Sequence, residues 1–120
     1  MLIDLVLPYP PTVNTYWRRR GSTYFISEEG KRYRRAVALI VRQQRLKLSL
    51  SGRLAIKVIA EPPDKRRRDQ DNILKAPLDA LTHAGVLMDD EQFDEINIVR
   101  GQPVSGGRLE IRITEVGVHE

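Results

Sequence analysis

The sequence holds no cysteine. That absence removes disulfides, thiolate zinc sites, iron–sulfur clusters and thiol nucleophiles. It also fits a reducing, cytoplasmic setting. Histidine is scarce: only His83 and His119 occur, too few for a histidine-built metal centre. Aromatic residues make up 6% of the chain, with a single tryptophan, Trp17. The longest unbroken apolar run, Ala36 to Val41, has six residues, far short of the ~20 that span a bilayer. No membrane partner is expected. Asp4 and Pro8 interrupt the first apolar stretch, which does not read as a signal peptide. At 120 residues the chain is expected to form one domain, 1–120, around one core.

Acidic charge is what the first half lacks. From Tyr16 to Arg53 there are eleven basic residues against Glu28 and Glu29, a local charge of +9. From Asp89 to Glu120 the balance reverses, with eight acidic and three basic residues. The whole chain carries +4, and its cations are fifteen Arg and five Lys. The planar guanidinium fork holds phosphate bidentately, so an Arg bias points to a polyanionic partner. A solvated basic face is the plain alternative.

Leu2–Leu7 reads as a strand closed by Pro8. Pro8 to Ile26 has three prolines and no clear period, as a long loop would. Ser27 can cap a helix with Glu28 and Glu29 in its first turn. Tyr33, Val37, Ile40, Val41 and Leu48 extend the apolar stripe, which predicts a helix to about Leu48. Arg53–Ala60 alternates as a strand, stopped by Pro62-Pro63. A second helix is expected over Asp69–Ala84, closed by Gly85. Pro77 demands either a kink or a late first regular turn. Asp94–Gly101 and Arg108–Val116 read as two strands, expected to form a hairpin. The fold class is therefore α/β, in the order β-α-β-α-β-β, a mixed sheet packed by two helices.

Lys65-Arg66-Arg67-Arg68 runs straight into Asp69-Gln70-Asp71. On a regular helix, Asp69 and Asp71 would lie about 200° apart. They converge only if Asp69 sits in the incoming loop or an irregular first turn. Lys75 follows Asp71 by one helical turn. Asp89-Asp90 comes after Gly85, and one of that pair can return to the helix start. Three gathered carboxylates repel by ~4 kcal/mol per pair at 4 Å and an effective dielectric near 20, so they require a cation or raised pKa values. Oxygen-only ligands favour Mg²⁺ or Mn²⁺ over zinc. Such a centre beside cationic side chains suits phosphodiester hydrolysis. Against it, a lone D-x-D pair is usually a cap or surface feature. Asp79 reads as structural, and Asn72 as either an orienter of Asp71 or a cap. Tyr16, Trp17 and Tyr24 could stack on bases or anchor their loop to the core.

Three stretches together carry a family resemblance. They are Arg66-Arg67-Arg68-Asp69-Gln70-Asp71-Asn72-Ile73-Leu74-Lys75, then Asp79-Ala80-Leu81, then Gly85-Val86-Leu87-Met88-Asp89-Asp90. With Leu7 to Asn14 before them and Gly106 to Glu110 after, the chain resembles the RusA family of Holliday-junction resolvases over nearly its whole length. The resemblance implies a small homodimeric endodeoxyribonuclease that uses Mg²⁺, with Mn²⁺ as a substitute. It implies binding to four-way DNA junctions and paired symmetric nicks in opposing strands. Asp69, Asp71 and Asp90 would bind metal, and Lys75 would be the catalytic lysine. Lys65, Arg66, Arg67 and Arg68 would bind DNA, with Arg18, Arg19, Arg20, Lys31 and Arg32 from the basic segment. Pro77 and Gln70 depart from the family's usual helix former and aliphatic residue. Two alternatives stand beside this: a related nuclease acting on flaps or forks, and a non-enzymatic basic nucleic-acid-binding module.

Overall fold

The computed structural model describes residues 2–117; His119 lies outside them. Its elements are β1 (Leu2–Pro8), α1 (Val13–Tyr16), β2 (Trp17–Arg20), β3 (Thr23–Ile26), α2 (Glu28–Gln43), β4 (Leu54–Glu61), α3 (Lys75–Ala84), β5 (Phe93–Arg100) and β6 (Arg108–Glu115). Two 3₁₀ turns, Gln70–Ile73 and Asp90–Gln92, flank α3. The main sheet runs β1-β6-β4-β5. β4 and β5 are parallel, and the other pairs are antiparallel.

Alternation fixes the core. Ile3, Leu5 and Leu7 of β1 are buried beside Ile113, Ile111 and Leu109 of β6. Ile56 and Val58 of β4 join the same rows. Tyr33, Val37 and Val41 of α2, with Ala76, Leu78, Ala80 and Leu81 of α3, cover that face. Each large apolar side chain so buried contributes roughly 1.5–3 kcal/mol. Across the sheet, Asp4 and its cross-strand neighbour Arg112 are exposed and paired at 2.9 Å. Among the described residues no helix is long and apolar enough to cross a membrane.

The α/β class and the element order hold, with corrections at three places. The last two strands do not form a hairpin: β6 lies between β1 and β4, while β5 takes the outer edge beside β4. Sequence pattern contains the reason. β6 buries Leu109, Ile111 and Ile113 in strict alternation and belongs in the interior, whereas β5 buries only Phe93 fully. The connecting residues 101–107 cross the end of β4, where Gly101 and Val104 amides bond to the Ala60 and Pro62 carbonyls. The loop expected over 8–26 is also structured. It holds α1 and a two-stranded ribbon turned at Gly21-Ser22, where Gly21 takes φ +61 as a two-residue hairpin turn requires.

Helix α2 stops at Gln43 rather than Leu48. Arg45 adopts φ 58, its amide bonds to the Arg42 carbonyl, and the Leu46 amide bonds to the Val41 carbonyl at 2.9 Å. This is a Schellman end with arginine where glycine is usual, so no glycine marks it in the sequence. Arg45→Gly is expected to raise stability by ~0.5–1 kcal/mol, since glycine relieves the left-handed strain but loses more entropy on folding. Thermal unfolding should show a midpoint about 3 °C higher; an unchanged or lower midpoint would mean the strain is negligible.

Candidate active site

Asp69 lies in extended backbone, φ −92 and ψ 130, just before the 3₁₀ turn that carries Asp71. The irregular entry anticipated for an acidic pair two residues apart is present. Regular helix begins only at Lys75, so Pro77 sits in the first turn of α3. There its missing N–H would have had no helical partner, and of the two ways to accommodate it the late start is the one found. Gly85, at φ +91, ends the helix.

The chain then turns through Val86 and Leu87, both buried, to Asp89 and Asp90. Asp89 caps the second 3₁₀ turn and accepts from the Glu91 amide at 3.1 Å. That amide holds the Asp89 carboxyl below the ordinary carboxylate range, helped by Asp90 and the Lys75 charge. With Asp89 so engaged, Asp90 is the half-buried member that meets Lys75, Nζ to Oδ2 at 3.2 Å. Lys75 therefore joins the two acidic turns at the head of α3.

Gln92, 5% exposed, fixes this turn, and sequence reasoning missed it. Its Oε1 accepts from the Met88 and Asp89 amides at 2.9 and 2.8 Å. Its Nε2 donates to the Leu50 and Gly52 carbonyls, both at 2.8 Å. All four bonding positions of the amide are filled. The available signal was Asp89-x-x-Gln92, the spacing of a capping box.

The basic residues separate into tied and free ones. Arg68 is held at 2.8 Å by Asp64 and lies over the Tyr9 ring, and Arg100 donates to its carbonyl at 2.6 Å. Arg66 also reaches Asp64, at 3.4 Å, and Lys31 reaches Glu28 at 3.3 Å. Lys65, Arg67, Arg18 and Arg32 have no ion-pair partner among the described residues. Arg67 and Arg68 line a pocket of about 430 Å³ with Thr12, Asp69, Asn72 and Ile73. Cation and carboxylate face one small cleft there.

Thr12 leads into α1 and then the ribbon. The root of the ribbon is locked. Buried Tyr16 donates to Asp79, and Arg34 bonds to the same carboxylate at 2.8 Å. Burial raises the Tyr16 pKa, and the bond to Asp79 adds to it. Asp79 thus ties α3 to Tyr16 of α1 and Arg34 of α2. Of the three aromatics, Tyr16 is core, Trp17 packs partly against it, and Tyr24 is 65% exposed. Arg19 and Arg20 stand over the Tyr24 and Phe25 rings at 5.7 and 5.6 Å.

Among the described residues no three His, Asp or Glu side chains form a group able to hold a metal ion. Asp69, Asp71 and Asp90 are thus not gathered into one cage in this chain. Asp90 takes Lys75 as its counter-ion instead. The donor chemistry nevertheless fits a hard divalent cation. All three are carboxylates, and the Asp69 and Asp71 side chains have no hydrogen-bond or ion-pair partner among the described residues, their carbonyls alone accepting from the Asn72 and Leu74 amides.

The sequence profile described as endodeoxyribonuclease RusA matches residues 8–114. The crossover junction endodeoxyribonuclease rusA of Enterobacteria phage HK97 is 61% identical over 113 residues, 94% of each chain. The protein of that name from Escherichia coli strain K12 is 42% identical over 114 residues, 95% of each. That of Enterobacteria phage 82 is 42% identical over 113 residues, 94% of each.

Proposed function

Because this chain belongs to the RusA family of endodeoxyribonucleases, we propose that it resolves four-way DNA junctions by paired symmetric nicks in opposing strands. It works as a homodimer with Mg²⁺, and Mn²⁺ substitutes. The contact between Lys75 and Asp90 carries the reading, since it brings both acidic turns to one helix head beside unpaired arginine. Asp69, Asp71 and Asp90 would hold the cation. When bound, it supplies a Lewis acid for a phosphate oxygen and an acidified water.

The chain's own groups do the rest. Lys75, which sits 3.2 Å from Asp90, would face the scissile phosphate and stabilise charge developing on it. Arg67 and Lys65 grip neighbouring phosphates, and Arg18 and Arg32 extend the track. Arg68 is committed to Asp64 and Tyr9, so it shapes the loop as much as it touches DNA. Two equivalent strands require two sites related by a two-fold axis, which a symmetric dimer provides. A non-enzymatic module would leave Asp69 and Asp71 without a purpose.

One gel tests this. A synthetic four-way junction and a duplex of the same sequence are incubated with Mg²⁺, with Mn²⁺ or with EDTA. Paired nicks in opposite strands of the junction are expected with either metal and none with EDTA. Cleavage indifferent to EDTA, or equal cutting of the duplex, would overturn the assignment.

A further inference from the structure

We infer that the groove between α1 and the β2–β3 ribbon seats a single nucleobase unstacked at the branch point, an inference that rests on the junction reading above. The groove encloses about 710 Å³ and is lined by Val13, Asn14, Trp17, Arg18, Arg19 and Tyr24. That volume lies within the range of small-molecule sites.

Its composition selects the occupant. Trp17 and Tyr24 each carry a guanidinium over one ring face, from Arg34 and Arg19, and stacking on the other face tolerates any base. Trp17↔Ile26 and Arg19↔Tyr24 are cross-strand pairs two residues apart, so their side chains project from one face of the ribbon. Asn14 is exposed, and its side chain has no hydrogen-bond partner among the described residues, leaving an amide to meet a base edge. No acidic residue occurs from Val13 to Ser27. An anionic ligand with an aromatic face therefore fits, and an acidic or purely apolar surface does not.

The seat is also preorganised. Trp17 meets the Tyr16 ring edge-on at 5.6 Å, with Arg34 over its indole at 5.8 Å. Arg19 Nε is pinned to the Gly21 carbonyl at 2.6 Å, which holds its guanidinium against Tyr24. Arg18 has no such tether and is free for phosphate. Val13 and Asn14 directly follow Thr12, which lines the cleft that holds Asp69, Arg67 and Arg68. The groove and the cleft that holds Asp69 thus meet at consecutive residues, Thr12 and Val13. Intact duplex exposes no base face, so the groove adds affinity only for branched or open DNA.

Trp17 is the only tryptophan and reports on the site directly. Asp71→Asn protein, intended not to cut, is titrated with a four-way junction and with duplex. Quenching of Trp17 emission is expected with the junction and not with duplex. Tyr24→Ala should weaken junction binding on the order of tenfold more than duplex binding, and Tyr24→Phe should restore it. Equal losses on both DNAs, or junction affinity within about twofold of the parent, would overturn the inference while leaving junction cleavage intact. Wild type with no junction preference at all would instead sink the junction reading. Trp17 emission that changes with protein concentration alone, together with an altered oligomeric state in Tyr24→Ala, would make the groove a contact between copies and overturn it too.

Discussion

Asp71→Asn is expected to lower junction nicking by at least about three orders of magnitude while junction binding and folding survive. Asparagine keeps the shape of aspartate and one carbonyl oxygen, so the 3₁₀ turn over Gln70–Ile73 loses nothing sterically. What disappears is a negative charge on a side chain with no hydrogen bond or ion pair among the described residues. Asp71 is exposed, so water solvates its charge and the fold gains little from it. Removing the charge should therefore leave the thermal midpoint unchanged or slightly higher while the rate collapses. A residue kept for stability would show the opposite pairing. Single-turnover nicking, gel-shift affinity and thermal unfolding on the same preparation separate the cases. Nicking within about tenfold of wild type, with binding intact, would remove Asp71 from the chemistry.

The sequence made some of this legible and hid the rest for physical reasons. Asp69 and Asp71 could converge only through an irregular entry, and Pro77 independently required a late helix start. Both constraints are local, and both are met by the 3₁₀ turn before Lys75. The position of β6 between β1 and β4 is not local. It follows from which strand has the most apolar surface to bury, and adjacency in the chain misleads there. The ribbon over Trp17–Ile26 was hidden because its faces are wet, so no hydrophobic alternation announces it. Arg45 hid the end of α2 by standing where glycine is expected. Family resemblance selects Asp90 over Asp89; in the structure Asp89 is engaged as a cap and Asp90 is paired with Lys75.

Gln92→Met should be the most destabilising near-isosteric change in the site region, by ~2–4 kcal/mol. Methionine fills the same volume but strands the Asp89 amide and the Gly52 carbonyl, which Gln92 satisfies at 2.8 Å, while the Met88 amide and the Leu50 carbonyl keep only their mutual bond at 3.2 Å. Each buried group so stranded costs about 1–3 kcal/mol, less where water can reach it. Thermal unfolding should show a midpoint on the order of 10 °C lower. Gln92→Glu separates hydrogen bonding from packing. Its carboxylate could still accept from Met88 and Asp89, but it would face the Leu50 and Gly52 carbonyls with charge. Burial and those oxygens would raise its folded pKa above the ordinary ~4.3. The neutral form is then favoured by folding, so the penalty is full above the raised folded pKa and fades as pH falls through it. Measured against wild type at each pH, the Glu variant should recover stability on acidification, while the Met variant keeps a constant deficit. Because Gln92 holds the turn that presents Asp90 to Lys75, nicking should fall in both variants even at temperatures where they remain folded. Full activity in folded Gln92→Met would show that the turn keeps Asp90 in place without it.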